Sequence, residues 1–220
     1  LILCLTLLPA TVLAAEPDTR HTIQLGASAI NGWSQSYGYD YIYLGNWKNN
    51  PVKWRVLSAN GDTAKSYQGG AGNTSTKSNA LFMLSEDVLA QTQFGGSGNK
   101  KWEGSTAESW CDGFKTSALT AEEQFAVFTT VRKSGANGAK YNNIVFDNKY
   151  SSLLRSTGNK VFFLSVIEAN DSAYGFSNND ARKATGGAWW LLSRTTKRYG
   201  SFGTVSSDGV FQSTAANSSA

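Results

Sequence analysis

Six carboxylates, Glu86, Asp87, Glu103, Glu108, Asp112 and Glu168, are the groups with which this 220-residue chain could do acid–base chemistry. Two of them facing a glycosidic bond would hydrolyse it, one as acid and the other as base or nucleophile. Structural readings compete. Glu108 stands three residues after Ser105, the spacing of a helix-opening capping box. Glu86-Asp87 would suit a helix start, where acids offset the dipole. Other catalytic constellations are excluded by residue type. His21 is the single histidine, so no Ser-His-Asp, Cys-His or His-rich zinc site assembles within the chain. Cys111, between Trp110 and Asp112 in a helical stretch, reads as a small buried hydrophobe rather than a nucleophile. Gly69-Gly70-Ala71-Gly72 lacks the Lys and the following helix of a phosphate-binding loop.

Binding chemistry has more material. Asn170, Asp171, Asn178, Asn179 and Asp180 crowd one polar stretch. No cofactor is otherwise expected, and calcium is the cation such oxygens suit, with Asp171 and Asp180 as its candidate ligands. The spacing is not that of an EF-hand, and a solvated Asn/Asp-rich turn explains the same residues. The double tryptophan Trp189-Trp190 allows two readings. Alternation along a strand puts Trp189 and Leu191 on one face, and Trp190, Leu192 and Arg194 on the other. Either the indoles form an aromatic platform, with Arg194 stacked on Trp190, or they fill core on both sides of a central strand. A ligand site is expected near 170–187 and 194–209, since loops on a rigid scaffold carry binding. Its candidate residues are Tyr174 and Tyr199 as exposed aromatics, Asn179 and Asp208 as polar partners, and Trp190 with Arg194. Lys197-Arg198 reads as a solvated loop.

The elements that must position these groups are short. Charged residues make up 16% of the chain, against roughly 25% in an average domain. Aromatics reach 12%, with seven Trp, so disorder is excluded. The net charge of +4 is mild, and without dense Lys/Arg clusters a nucleic-acid partner is not expected. Ser105-x-x-Glu108 and Thr120-x-x-Glu123 predict helices over 106–115 and 121–129, with Trp110 and Phe114 on one face at i, i+4. Tyr41–Leu44 and Val52–Leu57 read as strands around an Asn49-Asn50-Pro51 turn. Ala80–Leu84, Val161–Leu164 and Ala188–Leu192 read as buried strands, the second followed by a brief turn at Glu168-Ala169. Phe202–Ser206 and Val210–Ser213 flank Ser207-Asp208-Gly209, a hairpin signal. Residues 60–79, 133–143 and 170–187 read as loops. Strands and helices do not alternate, so the fold class is α+β: a single domain of short, mostly antiparallel strands with two main helices.

Leu1–Ala15 is apolar and uncharged, as in a secretory signal peptide with cleavage after Ala14. It is too short to span a bilayer, which needs about 20 residues, and no later stretch is long and apolar enough. The expected layout is therefore a leader over 1–14 that lacks its start, a lead-in over 15–37 and one domain over 38–220. The expected location is secreted or cell-surface. Removing Cys4 with the leader leaves Cys111 without a disulfide partner, so the core must hold the fold.

The ordered landmarks have a likeness. Pro51-Val52-Lys53-Trp54-Arg55-Val56-Leu57 is followed by Leu81 to Glu86 and by Trp102 with Ser105 and Trp110. Phe114, Glu122-Glu123 and Val161-Phe162-Phe163-Leu164-Ser165 with Glu168-Ala169 come next. Trp189-Trp190 and Val205-Ser206-Ser207-Asp208-Gly209 close the series. This set, over about 40–213, resembles an uncharacterised family of secreted bacterial domains common in Gram-positive gut bacteria. The resemblance implies an architecture like that of the C-type-lectin and formylglycine-generating-enzyme class, and no established activity. Formylglycine generation is not implied here, because it needs more reactive thiols than Cys111. The pattern departs at Leu192, where the family has Arg. The closing Arg-Pro-Ala element is also missing, so a final C-terminal element is expected to be absent. The resulting expectation is a non-catalytic module binding an extracellular glycan, peptide or protein. The alternatives are an exported carboxylate hydrolase and a structural part of a larger surface protein.

Overall fold

The computed structural model describes residues 41–58, 81–99, 101–130, 138–147, 157–197 and 199–220. The expected leader, the lead-in with His21, the 60–79 stretch, Arg198 and part of the 133–143 stretch lie outside the described residues.

Three small sheets and a few helices form an α+β layout. β1 (Tyr41–Trp47) and β2 (Asn50–Ser58) make a hairpin, and β3 (Phe82–Ser85) pairs antiparallel with the other edge of β2. The turn is one residue earlier than expected. Lys48 and Asn49 take positive φ, 51° and 66°, the pair of left-handed residues that matches a two-residue turn to strand twist. β4 (Lys140–Tyr141) and β5 (Ile144–Val145) form a second small hairpin inside and just after the expected 133–143 loop. Asn142 and Asn143 play the same role there, at 48° and 62°.

α1 (Thr106–Ala118) begins at Ser105, whose hydroxyl accepts the Glu108 N–H at 3.0 Å. Its buried stripe, Ala107, Cys111, Phe114 and Ala118, follows the 3.6-residue period. The expected capping box is only half formed. The Glu108 carboxylate accepts from Gly104 N at 2.8 Å instead of from Ser105. α2 (Ala121–Ala126) has the complete box between Thr120 and Glu123 and stops three residues short of the expected end. The second oxygen of Glu123 accepts from Gly45 N at 3.1 Å, which clasps the β1 bulge onto α2.

β6 (Trp189–Arg194), β7 (Ser201–Val205) and β8 (Phe211–Ala215) form the third sheet, antiparallel and in that order. The expected hairpin at 207–209 joins β7 to β8. Val161–Leu164 is not a strand. It runs beside β6, but its carbonyl and amide bonds there come singly: Leu192 N donates to Leu164 O, and Val166 N donates to the Ser193 hydroxyl. A side chain thus takes the place of a ladder. Glu86-Asp87 opens no helix either; Asp87 forms a lone parallel bridge with Thr185.

The 170–187 stretch is more structured than expected. It holds 3₁₀ turns at Glu168–Asn170 and Ser172–Tyr174 and the short α3 (Asn179–Arg182). Arg182 pins it. Its guanidinium bonds Gly209 O at 2.9 Å and the side chains of Asn170 and Asn179, and it lies 4.6 Å from the Phe211 ring centre.

Packing follows the sheets. One buried cluster joins Phe146, Leu164, Tyr174, Phe176, Leu191 and Phe211 on one side of the third sheet. A second joins Phe94, Trp102, Cys111, Trp190, Leu192 and Phe202 on the other. The Phe94 and Phe202 rings stack with centres 3.6 Å apart. The first sheet packs against α1 and α2 through Ile42, Leu44, Val56 and Leu119, and through Val52, Phe114 and Ala118.

Candidate functional site

The double tryptophan resolves into the core reading. Trp190 is 3% exposed, inside the second cluster, and its indole N–H donates to Thr92 O at 2.8 Å. Trp189 is half-buried on the opposite face, and its indole N–H donates to Arg182 O. The expected alternation therefore holds, but Trp190 is not a surface platform. Arg194 is buried as well. Its guanidinium lies 3.8 Å from the Asp147 carboxylate, and Asp147 N donates to Arg194 O. Tyr174, expected as an exposed aromatic, is 1% exposed and packs against Phe82. Its neighbour Phe176 is buried with it, because the 3₁₀ turn folds both inward. Trp54 is half-buried.

Tyr199 is exposed at 70%, with its ring beside Gly98. Asn179, the first residue of α3, and Asp208, on the facing 207–209 turn, are both exposed. Gly209 packs directly on the Asn179 carbonyl, which brings those two loops together. Tyr199 sits instead with the 95–99 loop, where Gly200 also meets Gly98. The six expected ligand residues are therefore not one site: three are buried, two share a loop pair, and Tyr199 stands at a different loop.

The oxygens proposed for calcium face other partners. Asp171 Oδ1 accepts from Ala173 N at 2.8 Å, and Asn178 Oδ1 accepts from Ala181 N at 3.0 Å. Asp180 pairs with Lys183 at 2.6 Å, which raises the Lys183 pKa through that hydrogen bond and its charge. A cation already sits among the asparagines, the Arg182 guanidinium. Among the described residues no three His, Cys, Asp or Glu side chains gather as metal ligands.

Four of the six candidate catalytic carboxylates are engaged structurally. Glu86 binds Arg55 Nε at 2.8 Å and Tyr41 at 3.2 Å, and Arg55 also donates to Ala181 O and Lys183 O. Glu108 accepts from Asn159 Nδ2 at 3.0 Å, and Asn159 Oδ1 accepts from the Trp102 indole at 3.0 Å. Glu168 accepts from both the amide and the hydroxyl of Ser165. Asp112 pairs with Lys115 at 3.4 Å. Asp87 and Glu103 are exposed. Cys111 is buried, and its pKa is pushed far above the usual thiol range, first by burial and then by the charges of Asp112 and Glu108.

A cavity lies where the four clusters meet. Trp54 and Leu84 bound it from the first sheet, Trp110 from α1, Phe162 from the 161–164 segment and Trp189 from β6. The 87–92 segment forms another wall, and Ala220, paired through its backbone to Thr92, reaches it too. Its volume is about 120 Å³. Most of these walls are half-buried rather than sealed, so solvent reaches them. Asp87 is the charged side chain of the lining. By size the cavity suits one large side chain: an apolar cavity of about 150 Å³ accepts a benzene molecule.

The sequence reading missed this site. Trp110 was placed correctly on the Phe114 face of α1, where the two rings stack 5.5 Å apart. Nothing in the linear pattern signals that the indole is left half open, because the opening arises between elements far apart in sequence.

The chain belongs to a family known as a domain of unknown function, DUF6273, whose model matches residues 78–220. The match starts ahead of β3, so β1 and β2, which complete its sheet, precede the matched stretch. No curated protein and no solved structure matches the chain.

Proposed function

We propose that this protein is an exported, non-catalytic binding module that recognises a peptide or protein by seating one apolar side chain in the cavity between Trp54, Trp110 and Trp189. The cavity carries the reading. Its walls are apolar and aromatic, they are open to solvent, and its size matches a single anchor residue. Half-exposed aromatic pockets with few polar groups are the usual form of a hydrophobic recognition site. A sugar would need several convergent polar partners, and this lining offers few. The apolar Leu1–Ala15 leader supports export. No helix among the described residues is long and apolar enough to cross a membrane. The C-type-lectin-like architecture implied by the resemblance would agree with a surface recognition role.

The test is selection of random heptapeptides displayed on phage against the immobilised protein, with soluble Ala90→Trp protein as competitor. Ala90 lines the cavity and is half-buried, so an indole there should block it. Peptides sharing an apolar anchor, and not competed by the blocked variant, are expected. Selected peptides captured equally by the blocked variant would refute the site.

A second reading rests on Tyr199, whose exposed ring beside the Gly98 backbone is a shape suited to stacking on a sugar face. A glycan and peptidoglycan array should then show binding that Tyr199→Ala abolishes. Release of product from any arrayed glycan would instead favour the hydrolase.

A further inference from the structure

We propose that the cavity selects a basic peptide segment, in which an apolar anchor sits between the indoles and a neighbouring Lys or Arg meets Asp87. The inference rests on the peptide reading above and names the chemistry of the partner. Two observations carry it.

The first is charge. Asp87 is exposed at the cavity and is the charged residue of its lining. Its side chain makes no ion pair or hydrogen bond with another described residue; the bridge to Thr185 is held by the flanking Val88 N–H and Glu86 carbonyl. The nearest acid in sequence, Glu86, is held by Arg55 and Tyr41. The indole walls act in the same direction as the carboxylate, because the face of an aromatic ring attracts a cation and repels an anion. The chain as a whole carries +4, so the preference comes from local complementarity and not from net charge.

The second is a donor. The indole N–H groups of Trp54 and Trp189 are satisfied by Leu44 O and Arg182 O. Trp110 lines the cavity, yet its indole N–H has no acceptor among the described residues. That donor reaches solvent, so it can take a carbonyl arriving with the ligand. A peptide supplies both, a backbone carbonyl for Trp110 and a cationic side chain for Asp87.

The experiment uses three N-acetylated, C-amidated peptides, Gly-Phe-Lys-Gly, Gly-Phe-Gln-Gly and Gly-Phe-Glu-Gly, titrated against the full chain and followed by tryptophan fluorescence. The Lys peptide should bind about threefold more tightly than the Gln peptide, the range of an exposed ion pair, and the Glu peptide more weakly than either. The preference should shrink at high salt and vanish in Asp87→Asn. Trp110→Phe keeps an aromatic ring and removes the donor; it should weaken all three peptides by at least about fivefold, the worth of one hydrogen bond. Equal binding of the three peptides, or a Lys preference that survives Asp87→Asn, would overturn this inference while leaving the cavity as the site. Binding by none of them would overturn both.

Discussion

The Asn159 side chain shows how single residues hold this molecule together. Its two amide ends join the Trp102 indole to the Glu108 carboxylate, all three groups buried. Asn159→Ala should orphan a buried donor and part of a buried charge. Each orphan costs about 1–3 kcal/mol, so denaturant melts should show a loss of about 3 kcal/mol, and a loss under about 1 kcal/mol would show that water replaces the amide. Cys111 makes a different prediction. Burial keeps its thiol protonated in the fold, while in the unfolded chain it ionises near the ordinary value of about 8.5. The stability linked to it is therefore present below that value and declines as pH rises above it. A thiol reagent at neutral pH should leave Cys111 unmodified in the native protein and label it in denaturant. The single-residue reading of the sequence was right about Cys111, because a small apolar residue on a helical stripe has one natural place. It was wrong about Tyr174 as an exposed aromatic and left Trp190 open between platform and core, and the structure buries both. Aromatic residues serve core and surface alike, and only the partner elements decide which.

At the scale of elements, the structure depends on polar clasps between segments far apart in the chain. Arg55 on β2 donates to Glu86 beside β3 and to two carbonyls at the C-terminal end of α3, Ala181 and Lys183. Arg55→Met should leave those acceptors and Glu86 without their cation. A loss of about 3 kcal/mol is expected, as for breaking one side of a buried pair. The 207–209 hairpin is docked as tightly. Gly209 has φ +75°, and a Cβ there would stand 1.7 Å from the Asn179 carbonyl. Gly209→Ala should therefore shift the hairpin off α3. Thermal melts should show a clear drop in Tm, and protease cleavage should rise within 170–187. Helices and hairpins were legible in the sequence because their signals are local: the Thr120-x-x-Glu123 box, the Ser207-Asp208-Gly209 turn and the Trp110/Phe114 spacing. Val161–Leu164 was misread because its apolar run looks like a strand. It meets β6 through one β6 amide, Leu192 N donating to Leu164 O, and next to it through the Ser193 hydroxyl, a choice no local pattern records.

For the whole molecule, the clusters do not fuse into one sealed core. Trp54, Trp110, Val161 and Phe162 each pack against two of them, and the space between stays open as the cavity. Fold class was readable from the sequence because it depends on the number and order of elements. The cavity was not, since its walls come from β2, β3, α1 and β6 and from the irregular segments between them. The central claim is that this opening is the recognition site, and the indole N–H signals in a nitrogen–proton correlation spectrum test it most directly. On addition of a peptide selected against the protein, the signals of Trp54, Trp110 and Trp189 should move, while those of Trp47 and Trp102, which do not line the cavity, should stay in place. Binding that leaves the Trp54, Trp110 and Trp189 indoles unmoved would contradict the account.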